Sequence, residues 1–277
     1  MCSVLSVSRS CYYVYRKRAH APPCIIKQQI EAQVVNAFII HKQRYGVRRL
    51  IPELADQGIK IGRHRIRGVL QKNGLKAIQP KSFVPRTTDS RHPYKISPNL
   101  LKDQTFPVRV NQVWIGDITY IPLKGGGWLF LAAWVDLFSR KVVGWQLLNN
   151  MKEVLVIEAF KKALANRQTG KGLIIHSDRG GQYAGTIFRR LLTGRELLQS
   201  MSGADNPYDN AFMESYFSRF KAELLQGGTF DGLEDARGKI FEYIEMYYNP
   251  VRRHSSLGYI SPDAFERQAS YQQKWED

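Results

Sequence analysis

The chain has few cysteines, few acids in its front part, and no long apolar run. Its three cysteines, Cys2, Cys11 and Cys24, all fall in the first 24 residues. An odd count cannot pair fully within one chain, and no Cys-x-x-Cys occurs. With His20 they match no zinc-ligand spacing, and reduced, incidental thiols are expected. No apolar stretch approaches the roughly 18–20 residues of a membrane span. The N-terminus mixes Ser, Cys, Tyr and Arg and has no apolar core, so it does not read as a secretory signal. The cytoplasm is the expected compartment, with no membrane partner. No internal repeat or low-complexity tract is present.

The shortage of acid is local. Of 277 residues, 1–110 hold 21 of the 41 Lys and Arg but only 5 of the 24 Asp and Glu, a net of +16 against +1 for the rest. A basic block this long favours a polyanionic partner, and double-stranded DNA is the expected one. A soluble basic surface or a membrane-surface patch would carry the same signature.

Five segments are expected. Residues 1–27 form a helical arm, capped by Ser6 or Ser8 and carrying Arg9, Tyr12, Tyr13, Arg16 and Lys17. It reads either as the second half of a helix-turn-helix or as a frayed helix. Residues 28–78 are helical, with Ile30, Val34, Ala37 and Phe38 at helical spacing. Gly58 breaks the pattern and Asn73-Gly74 closes it. Two short helices about a glycine turn suggest a helix-turn-helix, with Arg48, Arg49, Arg63, Arg65 and Arg67 free for phosphates or base edges. A plain three-helix unit with a solvated basic face is the alternative. Pro52 predicts a kink or a late helix start. Residues 79–110 form a basic, proline-rich linker, and 266–277 a tail.

Residues 111–265 alternate strands and helices. Strands are expected at Val113–Ile121, Trp128–Leu137, Lys141–Leu148, Leu173–His176 and Leu197–Met201. Helices are expected at Glu153–Asn166, Thr186–Leu192, Asp209–Leu225 and Gly232–Tyr248. Three antiparallel strands, a helix, then alternating strand and helix is the order of an RNase H-like α/β fold with a mixed five-stranded sheet. The small all-helical module precedes it.

Three acids stand out in this frame. Asp117 sits mid-strand in Trp114-Ile115-Gly116-Asp117-Ile118-Thr119-Tyr120. Asp178 follows a short buried strand in His176-Ser177-Asp178-Arg179-Gly180-Gly181-Gln182-Tyr183. Glu214 follows with thirty-five residues between it and Asp178, in a helix with Asp209 or Asn210 at its cap. Clustered carboxylates repel until a cation neutralises them. An oxygen-only ligand set favours Mg²⁺ or Mn²⁺, and two such ions can serve both the attacking and the leaving oxygen of a phosphodiester. Alone, each acid would read as a surface charge or a cap. Lys221 follows Glu214 by two helical turns and shares its face. It can hold a phosphate or simply face solvent. Arg179, Gln182 and Asn210 flank the acids as candidate DNA contacts. His176 is either a supporting residue beneath the carboxylates or a satisfied buried histidine.

These motifs resemble the DDE transposases of bacterial insertion sequences, which share their catalytic domain with retroviral integrases. The resemblance covers residues 45 to about 266. It rests on the Asp117 and Asp178 segments above and on Asp136-Leu137-Phe138-Ser139-Arg140-Lys141-Val142-Val143-Gly144-Trp145. It also rests on Ser200-Met201-Ser202, Tyr208-Asp209-Asn210-Ala211-x-x-Glu214-Ser215, Lys221, and Tyr248-Asn249-x-x-Arg252-x-His254-Ser255-Ser256-Leu257-Gly258-Tyr259. The resemblance implies that Asp117, Asp178 and Glu214 are the catalytic, metal-holding triad. It implies cleavage and strand transfer at the element's terminal repeats through a circular intermediate, by a dimer or larger assembly. The likeness is to the downstream-frame kind, so an upstream-frame partner or fusion is also implied. Two departures are visible. Gly203-Ala204-Asp205-Asn206-Pro207 replaces the usual loop before Tyr-Asp-Asn-Ala, and Cys11 stands where glycine is usual. An RNase H-like nuclease without strand transfer, and a non-catalytic DNA-binding regulator, are the alternatives.

Overall fold

The computed structural model describes residues 2, 6–19, 25–80, 93–102, 106–203, 211–226 and 228–276. The expected linker residues 81–92, Cys24, His20, the 204–207 loop and the Asp209–Asn210 cap lie outside them. The chain divides into two compact units, residues 1–77 and 78–277. Among the described residues no helix is long and apolar enough to cross a membrane.

The first unit holds α1 (Arg9–Ala19), α2 (Ile25–Ile40), α3 (Val47–Asp56) and α4 (Arg63–Lys72). Ser8 caps α1, its Oγ accepting from the Cys11 amide at 3.3 Å. The other three helices pack on Val34, Phe38, Leu50, Leu54, Ile66, Val69 and Leu70, which are the apolar positions repeating at helical spacing. His41 stacks on Tyr45 at 3.7 Å and reaches Glu53 at 3.4 Å, closing the corner between α2 and α3. Helix α3 starts at Val47 and runs on through Pro52, so neither boundary moves to the proline. Such a helix forgoes one backbone hydrogen bond at that turn.

The second unit is built on a five-stranded sheet in the order β3-β2-β1-β4-β5. Its strands are β1 (Val113–Pro122), β2 (Trp128–Asp136), β3 (Val142–Leu148), β4 (Ile174–Ser177) and β5 (Leu198–Met201). β1, β2 and β3 are antiparallel, and β4 and β5 join β1 in parallel. Between them lie α5 (Glu153–Asn166), α6 (Gly181–Ala184) and α7 (Thr186–Thr193). Then follow α8 (Ala211–Leu225), α9 (Leu233–Phe241) and α10 (Pro262–Glu276). The side-chain alternation of β1 separates two cores. Val113, Ile115 and Ile121 face Met213, Phe217 and Phe220 of α8. Trp114 and Ile118 face Leu155, Phe160 and Ala163 of α5.

The β2–β3 turn is tied by Asp136. Its buried carboxylate accepts from the amides of Asn111 at 2.7 Å, Phe138 at 2.9 Å and Ser139 at 3.0 Å. Burial raises its proton affinity, and the opposing pull of the Asn111 and Ser139 amides does not cancel that rise. Its partners are all backbone groups of the fold, which explains the acid of the Asp-Leu-Phe-Ser-Arg motif without catalysis.

Two segments differ from expectation. The helix expected over Gly232–Tyr248 is α-helical to Phe241 and π-helical over Glu242–Tyr248. The wider turn places Tyr243, Ile244 and Tyr248 together in the core. Residues 266–276, expected as a tail, are the body of α10. Ser261 precedes that helix and its Oγ accepts from the Ala264 amide at 3.3 Å. Ser261-Pro262-Asp263 is thus an ordinary helix start.

Candidate active site

The parallel register of β1 and β4 brings two of the predicted acids together. Gly116 pairs with Ser177 as the last registered pair, so Asp117 and Asp178 each come next along neighbouring strands. Side chains in register share a face. Asp117 is 8 % exposed and its Oδ1 accepts from the Ile118 amide at 2.8 Å. Asp178 accepts from the Gly180 amide at 3.0 Å, a local turn that fixes the carboxylate where β4 ends. The buried Tyr183 hydroxyl lies near both acids. Burial pushes its pKa well up, and the charges of Asp117 and Asp178 push the same way.

Helix α8 lies over this face. Lys221 is half-buried: desolvation lowers its pKa, and the opposing pull of Asp117 marks the two as neighbours. Glu214 is exposed in the first turn of α8. Among the described residues, no three His, Cys, Asp or Glu side chains are gathered as a metal-ligand group. Asp117 and Asp178 are therefore brought together with Lys221, while Glu214 stands apart from them. Among the described residues, none buries Glu214. The carboxylate oxygens of Asp117 and Asp178 are hard donors of the type Mg²⁺ or Mn²⁺ takes.

The flanking residues are braced by the protein itself. Arg179 Nε donates to the Ser202 carbonyl at 2.7 Å, and Gln182 Nε2 donates to the Met151 carbonyl at 3.0 Å. His176 is fully buried, two residues before Asp178 on the same face, with Nδ1 2.8 Å from Ser200 Oγ. That Oγ also accepts from the Leu100 amide at 2.9 Å. His176 thus ties β4 to β5 beneath the acids. Asn210 lies outside the described residues. In the first unit, Arg48, Arg63, Arg65 and Arg67 are exposed. Arg49 is half-buried, its guanidinium 5.8 Å from the centre of the Tyr45 ring.

Two features were not singled out from sequence. Tyr183 was visible only as the last residue of the Asp178 motif. The second is a buried ion pair: Arg252 meets Glu223 of α8 through Nε at 2.7 Å and Nη2 at 2.5 Å. No local pattern marks two residues 29 apart as partners.

Sheet order, the paired aspartates and the helix over them define an integrase-type catalytic core of the RNase H-like class. Family models and similar sequences agree. Two family models described as integrase core domain match residues 107–207 and 195–262, and one described as HTH-like domain matches 26–83. The transposase InsF of insertion sequence IS3A from Escherichia coli K12 is 38% identical over 268 residues, covering 96% of this chain and 92% of the relative. An uncharacterized 31 kDa protein of insertion element IS600 from Shigella sonnei is also 38% identical, covering 96% and 97%. Among solved structures, the HTLV-2 integrase catalytic core domain in complex with magnesium has a TM-score of 0.42 at 22% identity, covering 53% of this chain and 92% of that one. The BIV integrase catalytic core domain has a TM-score of 0.44 at 15% identity, covering 59% and 99%. The chain belongs to the IS3-family transposases, with a helix-turn-helix-like domain ahead of an integrase core.

Proposed function

We propose that this transposase cuts and joins DNA at the terminal inverted repeats of its own insertion sequence, with Asp117, Asp178 and Glu214 as the catalytic carboxylates. The observation that carries this reading is the register of β1 and β4, which sets Asp117 beside Asp178, with Lys221 near enough to feel the charge of Asp117. Two Mg²⁺ or Mn²⁺ ions, when bound, would neutralise the carboxylates and polarise the phosphodiester. Asp117 and Asp178 provide a fixed, partly buried base for them. Glu214 completes the set from α8. Lys221 holds a phosphate oxygen beside the carboxylates. Water is the nucleophile for cleavage, and the freed 3′-hydroxyl is the nucleophile for joining.

Residues 28–78 hold the duplex through Arg48, Arg63, Arg65 and Arg67, with Arg49 closer to the helix core. Arg179, Gln182 and Asn210 border the strand at the carboxylates, with His176 supporting Asp178 from below. Two element ends must meet for joining, so a dimer or larger assembly works, together with an upstream-frame partner or fusion. The reaction takes place in the cytoplasm, on the nucleoid.

The test is a labelled duplex carrying the terminal repeat, incubated with the chain and Mg²⁺ and resolved on a denaturing gel. Cut-and-joined products are expected. Cleavage without joining would replace this reading with a nuclease. Binding without cleavage, unchanged by the upstream-frame partner, would leave only a regulator.

A further inference from the structure

We propose that the buried Glu223–Arg252 pair sets the axial register of α8, and so positions Lys221, and the first turn that carries Glu214, relative to Asp117. This rests on the site proposed above. The buried residues of α8 are Met213, Tyr216, Phe217, Phe220 and Glu223, and only the last is charged. The apolar ones repeat at intervals of three and four. If α8 slid by one turn, about 5.4 Å, Tyr216 would take the place of Phe220 and Met213 that of Phe217. One large apolar group would replace another, so apolar packing alone holds α8 weakly along its axis.

Glu223 supplies what the rings do not. Its two oxygens accept from Nε and Nη2 of Arg252 in a bidentate pair, and Tyr243 Oη donates to the same carboxylate at 2.9 Å. Both partners are nearly solvent-free, with Arg252 1 % and Glu223 3 % exposed. A bidentate fork has one geometry, and a buried charge displaced from its partner is costly.

The far side of this clamp is anchored to the sheet. Asn249, three residues before Arg252, accepts from the Val142 amide and donates to the Val142 carbonyl, both at 3.0 Å. The Tyr248 hydroxyl donates to the Arg140 carbonyl at 3.1 Å. Edge strand β3 and the β2–β3 turn thus fix the segment that carries Arg252, and Arg252 fixes α8. Lys221 lies two residues before Glu223, and Glu214 nine. Arg252 touches no reacting atom; it is a positioning residue for two that do.

The test compares Arg252→Lys with the double variant Glu223→Met/Arg252→Met in the full chain. Lysine keeps the charge but loses the fork. The methionine pair removes both charges and keeps the volume, which in buried ion pairs is often neutral for stability. Four readings are taken: melting temperature, affinity for the terminal-repeat duplex, the joining rate at saturating DNA, and Mn²⁺ affinity without DNA. Misplacement by about 1 Å can cost about 100-fold in rate. Arg252→Lys is expected to lose about that much in rate, with DNA affinity and melting temperature near wild type. The double variant is expected to melt like wild type and still fail to recover the rate, and both variants should bind Mn²⁺ more weakly. Wild-type joining and Mn²⁺ affinity in either variant would overturn the proposal. A wild-type chain that joins nothing would count against the function reading instead, and the Mn²⁺ arm would still decide this one.

Discussion

The two units use charge in opposite ways. In residues 1–77, basic side chains sit on exposed helix faces with few acids beside them: Arg48, Arg63, Arg65 and Arg67 all face solvent. In residues 78–277, several charges are neutralised within the fold. Arg252 meets Glu223, Arg167 meets Glu266 at 2.6 Å, and Lys141 meets Asp263 at 2.8 Å. Exposed cations are what a polyanion needs, because each can displace a counterion from a phosphate. Internal pairs contribute nothing to such a surface, but they can fix where helices lie. The front unit is therefore built to hold DNA, and the rear unit to hold a geometry.

The strongest way to break this comparison is at the acids. Asp117→Asn is expected to lower the cleavage rate by about 1,000-fold or more, since several kcal/mol of charge stabilisation depend on it. Its affinity for duplex DNA should stay close to wild type in a gel-shift titration. A variant that cut DNA normally would remove Asp117 from the site.

A purely structural change should strike the rear unit alone. A Cβ at Gly144 would lie 2.5 Å from the Ala159 carbonyl oxygen and 2.5 Å from the Ala163 amide nitrogen, both backbone atoms of α5. Gly144→Ala should therefore cost about 3 kcal/mol in a urea melt, at the upper end of ordinary overpacking. Unchanged stability would mean that β3 and α5 are not packed this closely.

The front unit is sharpened by salt. Arg63→Ala with Arg67→Ala should weaken duplex binding and reduce the slope of log affinity against log salt by about 2, roughly one for each phosphate no longer neutralised. The joining rate at saturating DNA should hardly move. An unchanged slope would assign these two arginines to solvent.

The smallest effect concerns Lys221. Burial favours its neutral form, so its charge is lost at a lower pH than that of an ordinary lysine. If that charge holds a phosphate, activity should fall on the alkaline side below about pH 10.4, the usual lysine value. Lys221→Arg should carry the limb upward, because a guanidinium stays charged. An alkaline limb that stays put in this variant would mean that another group titrates.

Much of the rear unit was legible in the sequence because its strands are short, apolar and bounded by turns. All five expected strands are present, with no end shifted by more than one residue. Asp117 could be placed on a strand and Asp178 just past the end of one, and the parallel register of β1 and β4 brings those two places side by side. Glu214 was legible only as a residue on a helix, since where a helix lies along a sheet is a tertiary matter. The Glu223–Arg252 pair was hidden for the same reason. The π-helical turn at 242–248 left no mark because its apolar spacing of four and five is close to that of an α-helix. The Ser261 cap of α10, by contrast, was a readable signal, overlooked because the apolar pattern beyond it is weak.

The most direct measurement takes Asp178→Asn through the terminal-repeat assay with Mg²⁺, recording joined product and duplex affinity in the same reactions. The account predicts that joined and cleaved products disappear while binding is retained. Joining at the wild-type rate by this variant would contradict the assignment of the paired aspartates as the catalytic centre.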